Sequence, residues 1–148
     1  MNRTMMFAAA ATLALATFFS APVLAGEPND MFIIMTSTKS PDDVQAAIKA
    51  YTLDKKWIYV NDNKLKNDEV TQVRMCIPSV GKYLWGVGLH ISAVVPCGQF
   101  GIYKKDGVTT VAMLHPKFMN VLYPDPLTKK AGEEVLPLLT KMLEEVTK

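Results

Sequence analysis

The chain has 148 residues, 49% hydrophobic and 20% charged, and 16 Lys and Arg against 14 Asp and Glu give a formal net charge of +2. That length suits one domain built around one core. The basic pairs Lys55-Lys56, Lys104-Lys105 and Lys129-Lys130 are scattered and offset by Glu133-Glu134 and Glu144-Glu145, which excludes the clustered basic stripe that nucleic-acid binding needs.

Residues 1–25 read as a secretory signal peptide. Arg3 supplies the positive start, residues 7–19 are apolar, and Ala21-Pro22-Val23-Leu24-Ala25 places compact residues where a signal peptidase reads. The apolar run is shorter than the ~20 residues that span a bilayer. There is no Arg-Arg pair and no cysteine at the cleavage point, so twin-arginine export and lipid anchoring are disfavoured. Removing these 25 of 148 residues leaves 123, with a net charge of +1 once Arg3 is gone. A periplasmic or secreted product with no membrane contact after cleavage is expected.

Residues 26–30 read as a flexible leader, and residues 31–148 as one α+β domain. Residues 31–36 form a first strand with two Ile at its centre. Ser40-Pro41-Asp42-Asp43 then starts a helix, with a Ser cap, Pro at the first helical position and acids in the first turn. Val44, Ala47, Ile48 and Tyr51 make its apolar stripe, ending near Lys55. A second strand begins at residues 57–60, and the polar residues 61–68 continue it or turn.

Residues 70–77 alternate, with Val73, Met75 and Ile77 on one face and Gln72, Arg74 and Cys76 on the other. Pro78 stops that strand, residues 79–85 form a short helix or turn, and residues 91–95 read as a buried strand broken at Pro96. Asp106-Gly107 marks a two-residue hairpin of type I′. It sets Phe100 opposite Met113, Gly101 opposite Ala112 and Ile102 opposite Val111. Residues 125–148 are helical, kinked or split by Gly132 and Pro137. The order β-α-β-β-(short α)-β-β-β-α predicts a curved, largely antiparallel sheet with two main helices packed on one face.

Cys76 and Cys97 are the only thiols. In an exported chain they are a structural disulfide, an exchanging or sulfur-carrying pair, or soft-metal ligands. Strand alternation places Cys76 beside Arg74, whose charge would favour a thiolate. The only histidines are His90 and His115. Neither sits at the close spacing of a zinc site, and the hairpin register turns Cys97 away from His115 unless a bulge intervenes. Cys76, Cys97 and His115 are therefore the metal candidates, and Cys76, Cys97 and Arg74 the ligand or redox candidates. Met75 and Met113 fall on core faces, where gap-filling explains them better than copper. Tyr83, Trp85, Phe118 and Tyr123 line an apolar cleft, a subunit contact or the core. No G-x-S-x-G elbow or phosphate loop is present, so no catalytic residue is named and an enzyme is the less favoured reading.

Cys76-Ile77-Pro78, then Val95-Pro96-Cys97 and an Asp-Gly hairpin ending in x-Pro, resemble the family called domain of unknown function 302. The resemblance covers most of the mature chain and is most specific from Arg74 to Pro116. It implies an α+β fold with a curved antiparallel sheet, a homodimer, and Cys76 and Cys97 at the family's two cysteine positions. It departs at Leu114-His115-Pro116, where the family often carries an acid before the Pro. No activity and no cofactor come with it.

The leading expectation is an exported binding or accessory protein with its site around Cys76 and Cys97, beside Gly101 and Ala112. It would hold a small ligand, a soft metal or haem. The alternatives are a thiol-redox or sulfur-transfer protein, and a structural self-associating module.

Overall fold

The computed structural model describes residues 30–93 and 98–148. The residues expected as a signal peptide, nearly all of those expected as a leader, and Cys97 lie outside the described residues. Five strands form one open antiparallel sheet in the order β1-β5-β4-β3-β2. They are β1 (Phe32–Ser37), β2 (Ile58–Leu65), β3 (Val70–Cys76), β4 (Gln99–Lys105) and β5 (Val108–Leu114). Four helices accompany them: α1 (Pro41–Asp54), α2 (Pro78–Val87), α3 (Phe118–Leu122) and α4 (Pro126–Val146).

The local signals act as their chemistry dictates. Ser40 Oγ accepts the Asp43 N–H at 3.1 Å, capping α1, and Val44, Ile48 and Thr52 bury its inner face. Asp106 and Gly107 take φ values of 52° and 82°, the left-handed pair that a type I′ turn requires. The turn fixes the hairpin register: Phe100 opposes Met113, Gly101 opposes Ala112 and Ile102 opposes Val111.

Alternation then divides the sheet into two faces. Val73, Met75, Phe100, Ile102, Val111 and Met113 turn inward and are buried. They meet Val44 and Ile48 of α1, Val80 and Leu84 of α2, and Leu139, Met142 and Leu143 of α4. Each such side chain contributes ~2 kcal/mol of burial. The opposite face carries Phe32, Ile34, Ala112, Gly101, Gln72 and Arg74.

Two expectations are corrected. Residues 91–95 were expected as a strand, but Ile91–Ala93 belong to a 3-10 turn, Leu89–Ala93, and residues 94 and 95 lie outside the described residues, so the sheet has five strands rather than six among the described residues. Of the kink or split expected at Gly132 and Pro137, the split does not occur: helix α4 is one element of 21 residues. Pro137 is exposed, and so is Glu133, whose carbonyl loses its helical partner. An exposed carbonyl can turn toward solvent at little cost, while the buried stripe from Val135 to Val146 runs on unbroken.

Gly132 holds α4 against the start of α3. A Cβ there would lie 2.9 Å from the Pro116 carbonyl oxygen. Gly132→Ala is expected to lower stability by about 1 kcal/mol: overpacking costs ~1–3 kcal/mol, and alanine's helix preference returns about 1. A urea midpoint that rises in this variant would contradict the close approach.

Tyr59 on β2 donates to Asp62 Oδ2 at 2.7 Å and accepts from Gln45 Nε2 at 3.3 Å. Burial pushes its phenol up to about 12. The folded state thus holds this proton more tightly than the unfolded chain. The stabilisation is complete below the ordinary tyrosine value of about 10 and is lost as pH rises toward 12. An alkaline ultraviolet titration should show Tyr59 ionising late, and Tyr59→Phe should remove that late step. A titration unchanged by the substitution would contradict it.

Candidate binding cavity

Strand β3 ends at Cys76, and Pro78 at the first helical position turns the chain into α2. Strand β5 ends at Leu114, and His115-Pro116 turns the chain into α3. The two turns carry α2 and α3 off the same end of the sheet, with α4 running between them and packing against both. The space left between these elements is a cavity of about 300 Å³.

Its inner wall is apolar: Met75, Met113, Met119, Leu84, Val135 and Leu139. Met75 is 0% exposed, whereas Trp85 and Ile58, which also line the cavity, are 54% and 53% exposed. The cavity therefore runs from the core to the surface, with Trp85 and Ile58 at its mouth. Met75 Sδ would lie 3.0 Å from a Cβ on Gly98, so the backbone passes close to the thioether.

Cys76, Gln99 and His115 bring the polar groups of the lining. The His115 backbone N–H donates to the Met31 carbonyl at 2.7 Å. Its ring Nδ1 accepts the Lys117 backbone N–H at 3.1 Å. A ring nitrogen that accepts carries no proton, so in the neutral imidazole the proton sits on Nε2, which becomes a donor. Lys117 Nζ pairs with Asp30. The hydrogen bond from Lys117, then its charge, hold the exposed Asp30 carboxyl below the usual carboxylate range, and His115 adds to this.

The structure brings together two of the candidates read from the sequence, Cys76 and His115. Cys76 is disulfide-bonded. Arg74 is exposed on the opposite face of the sheet, paired in register with Gln99 and Asn61, and does not line the cavity. The small-residue patch exists, since a Cβ on Gly101 would meet nothing within 4 Å. Yet the cavity lies at the strand ends rather than there. Small residues on a sheet leave a shallow floor without walls, while a strand-to-helix turn raises walls on three sides. His90 is elsewhere, with Nε2 3.1 Å from Tyr123 Oη. Among the described residues, no group of three or more His, Cys, Asp and Glu is gathered.

Among the four aromatics singled out in the sequence, Trp85 lines the cavity, while Tyr83 donates to Glu134 Oε1 at 2.7 Å on the surface. Met119 and Leu139 were not singled out as site residues. They reach the cavity only because α3 and α4 fold back across the sheet, which no local spacing announces.

The arrangement of sheet and helices recurs in a solved structure, the uncharacterized conserved protein DUF302 from Bacillus stearothermophilus, with a TM-score of 0.70. The match covers 80% of this chain and 98% of that chain. This chain has the DUF302 fold. At 11% identity the likeness is one of architecture, and the cavity of this DUF302-like domain is argued from its own residues. No family model matches the sequence, and no curated protein matches it.

Proposed function

We propose that this protein is an exported binding protein that holds a small, largely apolar organic molecule in the cavity between α2, α3 and α4. The observation that carries the reading is a nearly unbroken apolar wall reaching from buried Met75 to exposed Trp85. A pocket near 300 Å³ is at the small end of natural ligand sites. Apolar wall left in contact with water forgoes roughly 25 cal/mol per Å², and a ligand with an apolar body recovers it. The His115 Nε2–H would orient a ligand's acceptor atom.

Export is supported by the signal-like residues 1–25 and by the disulfide at Cys76, since such bonds persist in oxidising compartments. Cys97 is the only other cysteine of the chain and is assigned as its partner. An organic ligand is favoured over a metal by the Lys117–His115 hydrogen bond. A metal-bound histidine generally donates its second ring N–H to a neighbour, whereas His115 Nδ1 accepts.

Titration of the mature protein with a fluorescent naphthylamine probe tests this reading. Saturable binding of one probe per chain, displaced by apolar alcohols or short fatty acids, is expected. Fluorescence that rises without saturation would overturn it.

Thiol exchange stands as a second reading because Cys76 lines the cavity and stands just before Ile77, the N-cap residue of α2. The positive end of a helix favours a thiolate. In reduced protein, Cys76 would then be alkylated fast near neutral pH. Alkylation at the rate of an ordinary thiol removes that reading.

A further inference from the structure

The wall of the cavity carries a concentration of sulfur. Met75 on β3, Met113 on β5 and Met119 on α3 come from three separate elements and border the same space. Met75 Sδ lies beside Gly98, which also lines the cavity, so the thioether itself belongs to the wall. A methionine side chain is unbranched and flexible, and in a core its usual work is to close irregular gaps. That accounts for Met142, which is 0% exposed and does not line the cavity. It does not account for three methionines that border an opening of about 300 Å³ and leave it unfilled.

The mouth adds a ring. A Cβ on Gly81 would lie 3.4 Å from Trp85 Nε1, so the indole lies back along α2 over a position that has no side chain. Gly81 and Trp85 both line the cavity, and the indole therefore borders it along one turn of the helix.

Resting on the cavity reading above, we infer that the ligand is a mono- or bicyclic aromatic molecule with an acceptor atom on its ring system, of the aryl ketone kind. It is taken in preference to a saturated ring or an alkyl chain of equal size. Burial of apolar surface rewards all of these alike, so alcohols and fatty acids enter the same space and gain burial only. The aromatic ring gains more. A thioether sulfur about 5 Å from a ring, near its edge, makes a favourable contact that a saturated ring cannot return. The Trp85 indole adds offset or edge-to-face stacking at the mouth. The His115 Nε2–H donates to the acceptor atom and fixes which way the ring lies. Several such contacts together correspond to about tenfold tighter binding than burial alone provides.

Competition against the naphthylamine probe on the mature protein, using acetophenone and cyclohexyl methyl ketone, tests this. The two compounds share a carbonyl and a six-membered ring and differ in the π system. Acetophenone is expected to displace the probe at about a tenfold lower concentration. Met113→Leu and Met119→Leu each remove a thioether at nearly constant volume, and combined they should bring the two ketones to within about threefold of each other. Methionines that only pack would, when replaced, weaken both ketones alike and leave their ratio untouched. If the double variant misfolds, Met119→Leu alone, at a partly buried position, should still lower the ratio about twofold. Equal displacement by the two ketones, or a wild-type ratio that survives in the folded variants, would overturn the aromatic assignment and leave the cavity reading standing. A protein that binds neither the probe nor either ketone would remove both.

Discussion

Met119→Trp is expected to weaken probe binding by at least tenfold while leaving the far-ultraviolet spectrum and the thermal midpoint close to wild type. Met119 sits on α3, is partly buried, and contributes to the cavity wall without belonging to the fully buried core. An indole in its place occupies volume that the ligand needs. The sheet and the helix pair that carry the core are not repacked. A tenfold loss corresponds to ~1.4 kcal/mol, less than the burial of one large apolar group, so the predicted loss is a lower bound. Arg74→Ala is the control. It lies on the other face of the sheet and should leave binding unchanged. If Arg74→Ala abolishes binding and Met119→Trp does not, the site lies on the helix-free face after all.

Cys76→Ser is expected to lower stability by about 3 kcal/mol, the constraint that a bond closing a loop of some twenty residues places on the unfolded chain. For a domain of this size that is on the order of 10 °C in the thermal midpoint. Cys76 pairs with Ile58 across β3 and β2 and lines the cavity, so losing the bond also loosens one wall, and probe affinity should fall with it. Reductant added to wild type should reproduce the drop, and reductant added to Cys76→Ser should do nothing further. A wild-type melting curve indifferent to reductant would mean that the bond contributes nothing to the fold.

How much of this was legible in the chain depends on the range of the interaction that decides each feature. The Ser40 cap and the Asp106-Gly107 turn are local, and a turn that fixes register also fixes which residues face the core. That is why the Phe100–Met113 and Ile102–Val111 pairs could be read directly. The residues from Leu89 to Ala93 defeated the same logic. A short apolar run looks alike as strand or as buried turn, and only packing decides that Ile91 is buried there from a 3-10 turn.

The site was half legible for a related reason. Cys76 and His115 stood out because such residues are scarce, and both line the cavity. Its apolar walls did not stand out, since Met75, Met113 and Leu139 read as ordinary core residues, and most of their surface is core. What makes them a wall is the departure of α2 and α3 from the sheet, a long-range outcome of where β3 and β5 stop.

Native mass spectrometry of the protein purified from its native host addresses the cavity most directly. The reading here predicts a small-molecule adduct, one per chain, that organic solvent extracts and that Met119→Trp lacks. Wild-type and Met119→Trp proteins that carry the same adduct, or a wild-type protein that neither carries one nor binds the naphthylamine probe, would contradict it.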